Sequence, residues 1–296
     1  MTYQQIKNLK EIVDIAVGEC KGKDEVINLI IKSCFSIDLI DNPFEGLFLE
    51  KARLWQAPTK PESLHINHGS YIHKYGDGIQ YIIDQLKEKP DSKRALLSLI
   101  NMKDIIKSED FPIPSFFVTQ FSLDEKDLYC TVYFRALEVS QFLPINLTEV
   151  CLMSQQIRRA IPSINRLFFC LHAFKAYYKP NFDTLVRAEI DRQPRGTIAV
   201  CVFNGQKERI RELLQSKFND SSVIETAGME ELYNALVSNQ EKNPDAYQDA
   251  FVRSVGRALQ ALNELREIRT KASHGDLIQS LEDTVRKHIS EALERL

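Results

Sequence analysis

The chain has 296 residues, of which 44% are hydrophobic and 27% are charged, and its formal net charge is -3 at pH 7. This composition is typical of a globular protein in water, and the length favours two domains. The slightly negative charge excludes attraction to nucleic acid or anionic membranes over the whole surface, so any RNA site has to be a local patch.

The cysteines and the apolar runs indicate the compartment. The chain contains six scattered cysteines and no C-x-x-C pair. Most lie in apolar surroundings, so we expect reduced, buried side chains rather than disulfides or a zinc site. No apolar run is long enough to span a bilayer, and the first residues lack a signal-peptide pattern. The sequence therefore predicts a cytoplasmic protein with no membrane association, no bound metal and no cofactor.

The first part of the chain mixes helical and strand patterns. Residues 3–40 carry helical periodicity, residues 41–75 are irregular, and a helix is predicted over 77–88. A second, buried helix is predicted over 146–161. Five apolar runs rich in aromatic and β-branched residues are strand candidates, and a polar hairpin turn at 124–127 separates two of them. These strand candidates cover residues 94–100, 115–123, 128–135, 168–178 and 198–203.

From Gly205 onward the pattern becomes entirely helical. The third of four helices is long and amphipathic, because apolar residues recur at three- and four-residue spacing from Phe251 to Ile268. The four predicted helices cover residues 205–218, 228–239, 244–272 and 276–295. We place the domain boundary near Gly196, which gives domains 1–195 and 196–296.

Several motifs of the first domain stand together in one order. They are Tyr75-Gly76 ahead of a helix, the segment 89–98 with Lys93 and Arg94, the segment 133–138 with Arg135 and Glu138, Leu143-Pro144-Ile145-Asn146 opening a helix, and His172-Ala173-Phe174. In order and spacing these motifs resemble thymidylate synthase over about 70–195. The resemblance implies an α+β fold with a mixed sheet and helices, and a homodimer.

The same resemblance implies roles in binding a pyrimidine nucleotide. Arg135 would contact the nucleotide phosphate, while Lys93 and Arg94 would reach the phosphate held by a partner subunit. Asn146 would read the pyrimidine edge and His172 would approach the ribose. Arginine forks bind phosphate well, and an amide offers both a donor and an acceptor to a base. Tyr75 would also line this pocket.

The chain departs from the family pattern at the nucleophile. The family has a cysteine after proline, whereas this chain has Pro114-Ser115, and Phe116 replaces the histidine that follows. A serine hydroxyl is a far poorer nucleophile than a thiolate unless a base activates it. Ordinary methyl transfer to deoxyuridylate is therefore not expected. Ser115, Glu138 or a bound water would have to do other chemistry on a nucleotide.

A purely structural interpretation of these residues stays open. Arg135 can be a surface arginine at the end of a strand, and Asn146 can cap the helix that follows it. His172 can be a core histidine with satisfied hydrogen bonds. The first domain would then be a scaffold that senses a partner.

Arg269 and His274 stand at the end of the long third helix in R-x4-H spacing, directly before Gly275. Arginine stabilises phosphoryl charge and histidine moves protons near neutral pH, so the pair can cleave RNA without a metal. The pattern resembles the HEPN superfamily and the C-terminal domains of abortive-infection proteins. This resemblance implies an all-α domain that pairs in a dimer, where the ribose 2′-hydroxyl attacks the neighbouring phosphate. Alternatively, Arg269 only solvates the helix end and His274 only caps its carbonyls.

Three functions follow from these patterns. The first is an antiphage, abortive-infection effector, whose synthase-like domain dimerises and senses a nucleotide or a partner while its HEPN-like domain cleaves RNA. The second is an altered pyrimidine-nucleotide enzyme whose helical tail only assembles the dimer. The third is a non-enzymatic regulatory module bound to another protein.

Overall fold

The computed structural model describes residues 2–44, 46–107, 112–180, 185–218, 224–271 and 276–296. The chain forms two compact units, one from residues 1–61 and 66–184 and the other from residues 62–65 and 185–296. The units therefore divide at Leu185, and a short segment of the first half belongs to the second unit. The domains 1–195 and 196–296 remain a prediction about independent folding units.

The first unit is built from six strands and six α-helices within the described residues. The strands are β1 Gln4–Gln5, β2 Val26–Ser36, β3 Leu96–Ser98, β4 Phe116–Asp124, β5 Asp127–Glu138 and β6 Arg166–Tyr177. The helices are α1 Lys10–Cys20, α2 Leu47–Trp55, α3 Gly69–Ile72, α4 Gly78–Glu88, α5 Met102–Lys107 and α6 Phe142–Ala160, and a 3-10 turn covers Ile37–Asp41.

The six strands form one mixed sheet in the order β1-β2-β6-β5-β4-β3. The pairs β1–β2 and β5–β6 are parallel, while β2–β6, β4–β5 and β3–β4 are antiparallel. Helices α1, α4 and α6 pack against one face and share its hydrophobic core. The first unit is therefore a mixed α+β structure, as the sequence predicts.

Alternating side chains explain why the central strands form. In β5, Leu128, Cys130, Val132 and Phe134 are buried, while the residues between them lie on the opposite, more exposed face. This period of two is the pattern of a strand with one buried face. The predicted strands over 115–123, 128–135 and 168–178 are confirmed, and so is the hairpin turn between β4 and β5.

Two sequence predictions in this region are wrong. Residues 26–31, assigned to the helical stretch 3–40, form the start of β2. A short run of apolar residues satisfies helical and strand spacing alike, and here the β-branched residues and the pairing with β6 decide the outcome. The stretch 41–75, expected to be irregular, contains helices α2 and α3.

The second unit is helical. Its described helices are α7 Glu189–Arg192, α8 Thr197–Phe203, α9 Lys207–Lys217, α10 Ala227–Lys242, α11 Asp249–Arg269 and α12 Asp276–Arg295. The predicted strand at 198–203 is therefore wrong, because Ile198, Cys201 and Val202 are spaced to face the helical core. Packing overrides the strand propensity of these residues. Among the described helices, none has the length and apolar content needed to cross a bilayer.

The segment 62–65 is joined to the second unit by backbone and side-chain contacts. The N–H of His65 donates to the carbonyl of Leu185 at 3.1 Å, and the N–H of Arg187 donates to the carbonyl of Ser63 at 2.9 Å. The carboxylate of Glu225 then pairs with Arg187 at 2.9 Å and with His65 at 3.1 Å. Burial alone would raise the pKa of Glu225, but hydrogen bonds from His65 and Arg187 lower it to about 2.

We expect Glu225→Gln to lower the free energy of unfolding by about 2 kcal/mol at neutral pH, because an amide cannot replace the carboxylate in these pairs. Since folding lowers the pKa of Glu225, this stabilisation is fully present above about pH 5 and is lost as the pH falls toward about 2. In urea unfolding, the difference between wild type and variant should therefore narrow from about pH 6 to about pH 3.

The matched control is Glu241→Gln, which removes an exposed carboxylate from α10. It should change the free energy of unfolding little at either pH. If the free energies of unfolding of wild type and Glu225→Gln differ by the same amount at every pH in this range, the proposed role of the ion pairs is contradicted.

Candidate functional site

The connection between β5 and α6 is fixed by the carboxylate of Glu138. This side chain is 2% exposed, and its oxygens accept hydrogen bonds from the backbone N–H groups of Ser140, Gln141, Phe142 and Lys179. The first N–H groups of a helix have no partner within the helix, and an anion there is favoured by the helix dipole. Glu138, predicted to line a nucleotide pocket, is thus engaged in holding the start of α6.

Asn146 lies in the second turn of α6, because the helix begins at Phe142. The alternative in which Asn146 caps this helix is therefore wrong. Its side chain is 1% exposed, and its Nδ2 donates to Oε2 of Glu149 at 3.1 Å. Both oxygens of Glu149 also lie 2.9 Å from Nδ1 of His68. Asn146, Glu149 and His68 form one buried polar network in the first unit.

Aromatic rings surround this network. The ring of His68 lies 4.7 Å from that of Trp55 and 5.5 Å from that of Phe116, measured between centroids. The rings of Trp55 and Phe142 are 4.9 Å apart. Glu149 and His68 are therefore screened from water by apolar side chains, where hydrogen bonds and charges act more strongly than at a surface.

Three polar atoms of this region have no hydrogen-bond partner in the described part of the chain. They are Nε1 of Trp55, Oδ1 of Asn67 and Oδ1 of Asn146. A buried polar group without a partner costs about 1–3 kcal/mol, and such groups often mark a bound water or a functional site. We name Trp55, Asn67, His68, Asn146 and Glu149 the buried polar cluster.

Gly69 sets the position of Asn67 and His68. A Cβ atom at Gly69 would lie 2.2 Å from the carbonyl oxygen of Ala57, closer than any side chain can approach. The amide of Asn67 donates to that same carbonyl at 2.6 Å. The absence of a side chain at Gly69 thus allows the segment with His68 to lie directly against the end of α2.

Arg135 holds the segment that carries Ser115. Its Nε and Nη2 donate to the carbonyls of Pro114 and Ile113 at 3.3 and 3.1 Å, and its backbone N–H donates to the carbonyl of Ser115 at 2.9 Å. Arg135 is exposed as a residue and Ser115 is half-buried, while burial of the guanidinium lowers the pKa of Arg135. A guanidinium has five N–H donors, so Arg135 retains donors for an anion while it positions Ser115.

His172 lies on the sheet face opposite α1, α4 and α6. It pairs with Tyr133 across β5 and β6, and the two rings meet edge to face at 5.1 Å. Its Nε2 lies 3.4 Å from Oδ1 of Asn28, and its side chain is half-buried. Arg135 follows Tyr133 by two residues on β5, so alternation places it on the same face as His172.

Lys93, Arg94 and Tyr75 lie apart from this arrangement. Lys93 and Arg94 precede the edge strand β3, and both side chains are exposed. The side chain of Tyr75 is 86% exposed. No hydrogen bond or ion pair described within the chain joins these three side chains to Arg135 or Asn146.

Arg269 pairs with Glu282 in the second unit. Its Nη1 lies 3.5 Å from Oε1 of Glu282, whose side chain is 6% exposed, and this ion pair links the end of α11 to α12. His274, the other residue of the R-x4-H pattern, lies outside the described residues. The structure therefore describes one member of this predicted pair.

The six cysteines form no disulfide, and burial makes four of their thiols less acidic. Burial raises the pKa of Cys130 to about 12 and also raises the pKa of Cys20, Cys151 and Cys170. Thiols of this kind stay protonated near neutral pH and are poor nucleophiles. Within the described residues, no three His, Cys, Asp or Glu side chains form a group suited to a metal ion.

Sequence reasoning missed four members of the buried polar cluster, namely Trp55, Asn67, His68 and Glu149. Asn67 and His68 lie in the stretch 41–75, which the sequence predicts to be irregular. One signal was present, because Glu149 is the only charged residue between Phe142 and Met153. A lone carboxylate in an apolar helical stretch, three residues after Asn146, indicates a buried polar contact.

This chain is similar to known proteins. A family model described as thymidylate synthase matches residues 47–232, from the start of α2 into α10. A putative bifunctional dihydrofolate reductase-thymidylate synthase from Oryza sativa subsp. japonica is 30% identical over 151 residues. That match covers 51% of this chain and 30% of the relative, so this chain spans about a third of the relative's length.

We expect Glu138→Gln to destabilise the protein by about 2–3 kcal/mol, because an amide nitrogen would face backbone N–H donors at the start of α6. Urea unfolding followed by circular dichroism measures this change. Glu88→Gln, an exposed carboxylate at the end of α4, is the control and should stay within about 0.5 kcal/mol of wild type. Equal stability of both variants would show that Glu138 does not anchor the helix.

Proposed function

Because the chain belongs to the thymidylate synthase family, we propose that its first unit binds a pyrimidine nucleotide without ordinary methyl transfer. The observation that carries this proposal is Arg135, whose guanidinium is fixed beside Ser115 by two backbone carbonyls. A preorganised arginine fork loses little conformational freedom when it binds a phosphate. Arg135 is therefore the proposed phosphate contact.

The base is proposed to bind at Asn146. In the family resemblance this position reads the pyrimidine edge, and its Oδ1 has no partner among the described residues. Asn146 is buried on α6, which packs on the sheet face opposite Arg135, so the family resemblance rather than proximity to Arg135 supports this contact. His172 is the proposed ribose contact.

Two features support the absence of methyl transfer. Ser115 stands after Pro114, where the family pattern has its cysteine, and no described base lies in hydrogen-bond contact with its hydroxyl. Burial also raises the pKa of Cys130 and Cys151, so these thiols are not substitutes for the missing nucleophile. The nucleotide is then a regulatory ligand or the substrate of other chemistry at Ser115.

A homodimer would cover the open face of the sheet. Aromatic residues on this face make ring contacts with one another: Tyr129 and Phe168 stack at 4.8 Å, and Tyr3 meets Phe168 edge to face at 5.1 Å. Phe174 and Ile30 on the same face are 45% and 40% exposed. Exposed apolar residues and aromatic rings on one sheet face favour association. Lys93 and Arg94 are proposed to reach the phosphate bound by the partner subunit.

A second proposal assigns a metal-independent ribonuclease to the second unit, controlled by the first in an antiphage or abortive-infection response. The favouring observation is the position of Arg269 at the end of α11, held against Glu282 directly before the segment with His274. Glu282 would orient the guanidinium toward RNA, and His274 would move the protons. In the alternative proposal, this unit binds a protein partner and does not cleave RNA.

Nucleotide binding is tested by thermal unfolding with pyrimidine monophosphates. Binding should stabilise wild type by about 2.7 kcal/mol when the ligand exceeds its dissociation constant a hundredfold. Arg135→Ala should remove most of this shift, because it removes the phosphate contact. The control Arg159→Ala removes an exposed arginine from α6 and should keep the shift. No shift in wild type, or an equal shift in Arg135→Ala, would refute this proposal.

The ribonuclease proposal is tested by incubating the protein with RNA in the presence of a chelator. Wild type should cleave, and both Arg269→Ala and His274→Ala should reduce cleavage by at least about a hundredfold. Arg253→Ala, which removes an exposed arginine from α11, should cleave like wild type. Circular dichroism controls for folding, because Arg269 also links two helices. Cleavage that persists in His274→Ala would refute the assignment.

A further inference from the structure

His172 is held between side chains of the two strands that flank β6. Its Nε2 lies 3.4 Å from Oδ1 of Asn28 on β2, and its ring meets that of Tyr133 on β5 edge to face at 5.1 Å. We propose that Asn28 is a positioning residue, which keeps a proton on Nε2 of His172 and leaves Nδ1 to accept a hydrogen bond from a sugar hydroxyl. This inference rests on the proposed nucleotide binding, in which His172 is the ribose contact.

The backbone of Asn28 departs from the strand around it. Its φ is 57°, in the left-handed region, although it lies within β2. Ile27 pairs with Lys175 before it, and Leu29 pairs with Ala173 after it. The register with β6 is therefore the same on both sides of Asn28, and an inserted residue does not explain its conformation. A sparsely populated conformation that the strand pairing does not require points to a role for the side chain.

Asparagine suits this position for a specific reason. The β-branched residues common in β2 strongly disfavour the left-handed region, whereas asparagine and glycine adopt it readily. Glycine would give the same backbone conformation without a side chain. The amide of Asn28 adds what glycine lacks, an acceptor directed at the ring of His172.

This contact decides which ring nitrogen of His172 carries the proton. An amide oxygen only accepts hydrogen bonds, so Nε2 has to donate to Oδ1 of Asn28. A neutral imidazole has one N–H, so Nδ1 is then an acceptor. Within the residues that the structure describes, no hydrogen bond is formed to Nδ1. A hydroxyl can donate to this atom and an ionised phosphate cannot, so His172 suits the sugar while Arg135 suits the phosphate.

The first test is nitrogen NMR of the full chain with isotope-labelled histidine, without nucleotide. Wild type should carry the proton of His172 on Nε2. Asn28→Gly should show a mixture of both neutral forms, because it keeps the backbone conformation and removes the acceptor. Glu125→Gly is the matched control, since Glu125 also has a positive φ, 51°, but lies in the hairpin turn between β4 and β5. It should match wild type.

The second test is calorimetric titration with dUMP and with 2′,3′-dideoxy-UMP, which lacks the 3′-hydroxyl. Wild type should bind dUMP about fivefold more tightly, which is the effect of one neutral hydrogen bond. Asn28→Gly should lower this ratio below about twofold, because the ring then no longer presents Nδ1 consistently as an acceptor. Glu125→Gly should keep the wild-type ratio.

Three results would overturn this inference and leave nucleotide binding intact. They are a proton on Nδ1 in wild type, equal binding of the two nucleotides by wild type, and an unchanged ratio in Asn28→Gly. Binding of neither nucleotide by wild type would refute the proposed function itself, and the sugar contact with it.

Discussion

The capping of α6 by Glu138 is the constraint on which the candidate site depends. One buried carboxylate joins the end of β5, the first N–H groups of α6 and the backbone at Lys179. Arg135 precedes this anchor on the strand, and Asn146 follows it on the helix. A helix end buried without such an anion would leave donors unpaired, and the helix direction would be poorly defined. The positions of Arg135 and Asn146 along the chain are consequently related through a residue whose side chain contacts neither of them.

The buried polar cluster differs from Glu138 in how completely its polar groups are hydrogen-bonded. Glu138 has hydrogen-bond donors on both oxygens, whereas the cluster leaves donors and acceptors unmatched on Trp55, Asn67 and Asn146. Natural proteins usually satisfy buried polar groups, so two neighbouring carboxylates with such different surroundings have different roles. Glu138 accepts hydrogen bonds from the backbone at the start of α6, whereas Glu149 accepts one from the amide of Asn146, whose Oδ1 has no partner among the described residues.

Much of the fold follows from local patterns in the sequence. Strands β4, β5 and β6 alternate clearly, and helices α10, α11 and α12 carry strong three- and four-residue periodicity, so local rules suffice there. The errors at 26–31 and 198–203 arise where short apolar runs fit both periods and neighbouring elements decide. Arg135 and Asn146 could be singled out from motifs. The contact between His68 and Glu149 could not, because it joins residues 81 positions apart that share no motif.

The segment 62–65 has a consequence for any attempt to divide the protein. The chain leaves the first unit at Pro61, contributes four residues to the second and returns at Ile66. A fragment cut at Leu185 would lack the β-bridge between Leu64 and Val186 and the histidine that pairs with Glu225. Its unpaired backbone groups and its partly unpaired carboxylate would make it less stable than the same residues in the intact chain. The second unit is therefore a fold with a non-contiguous sequence, and truncation studies need to supply residues 62–65 in trans or by fusion.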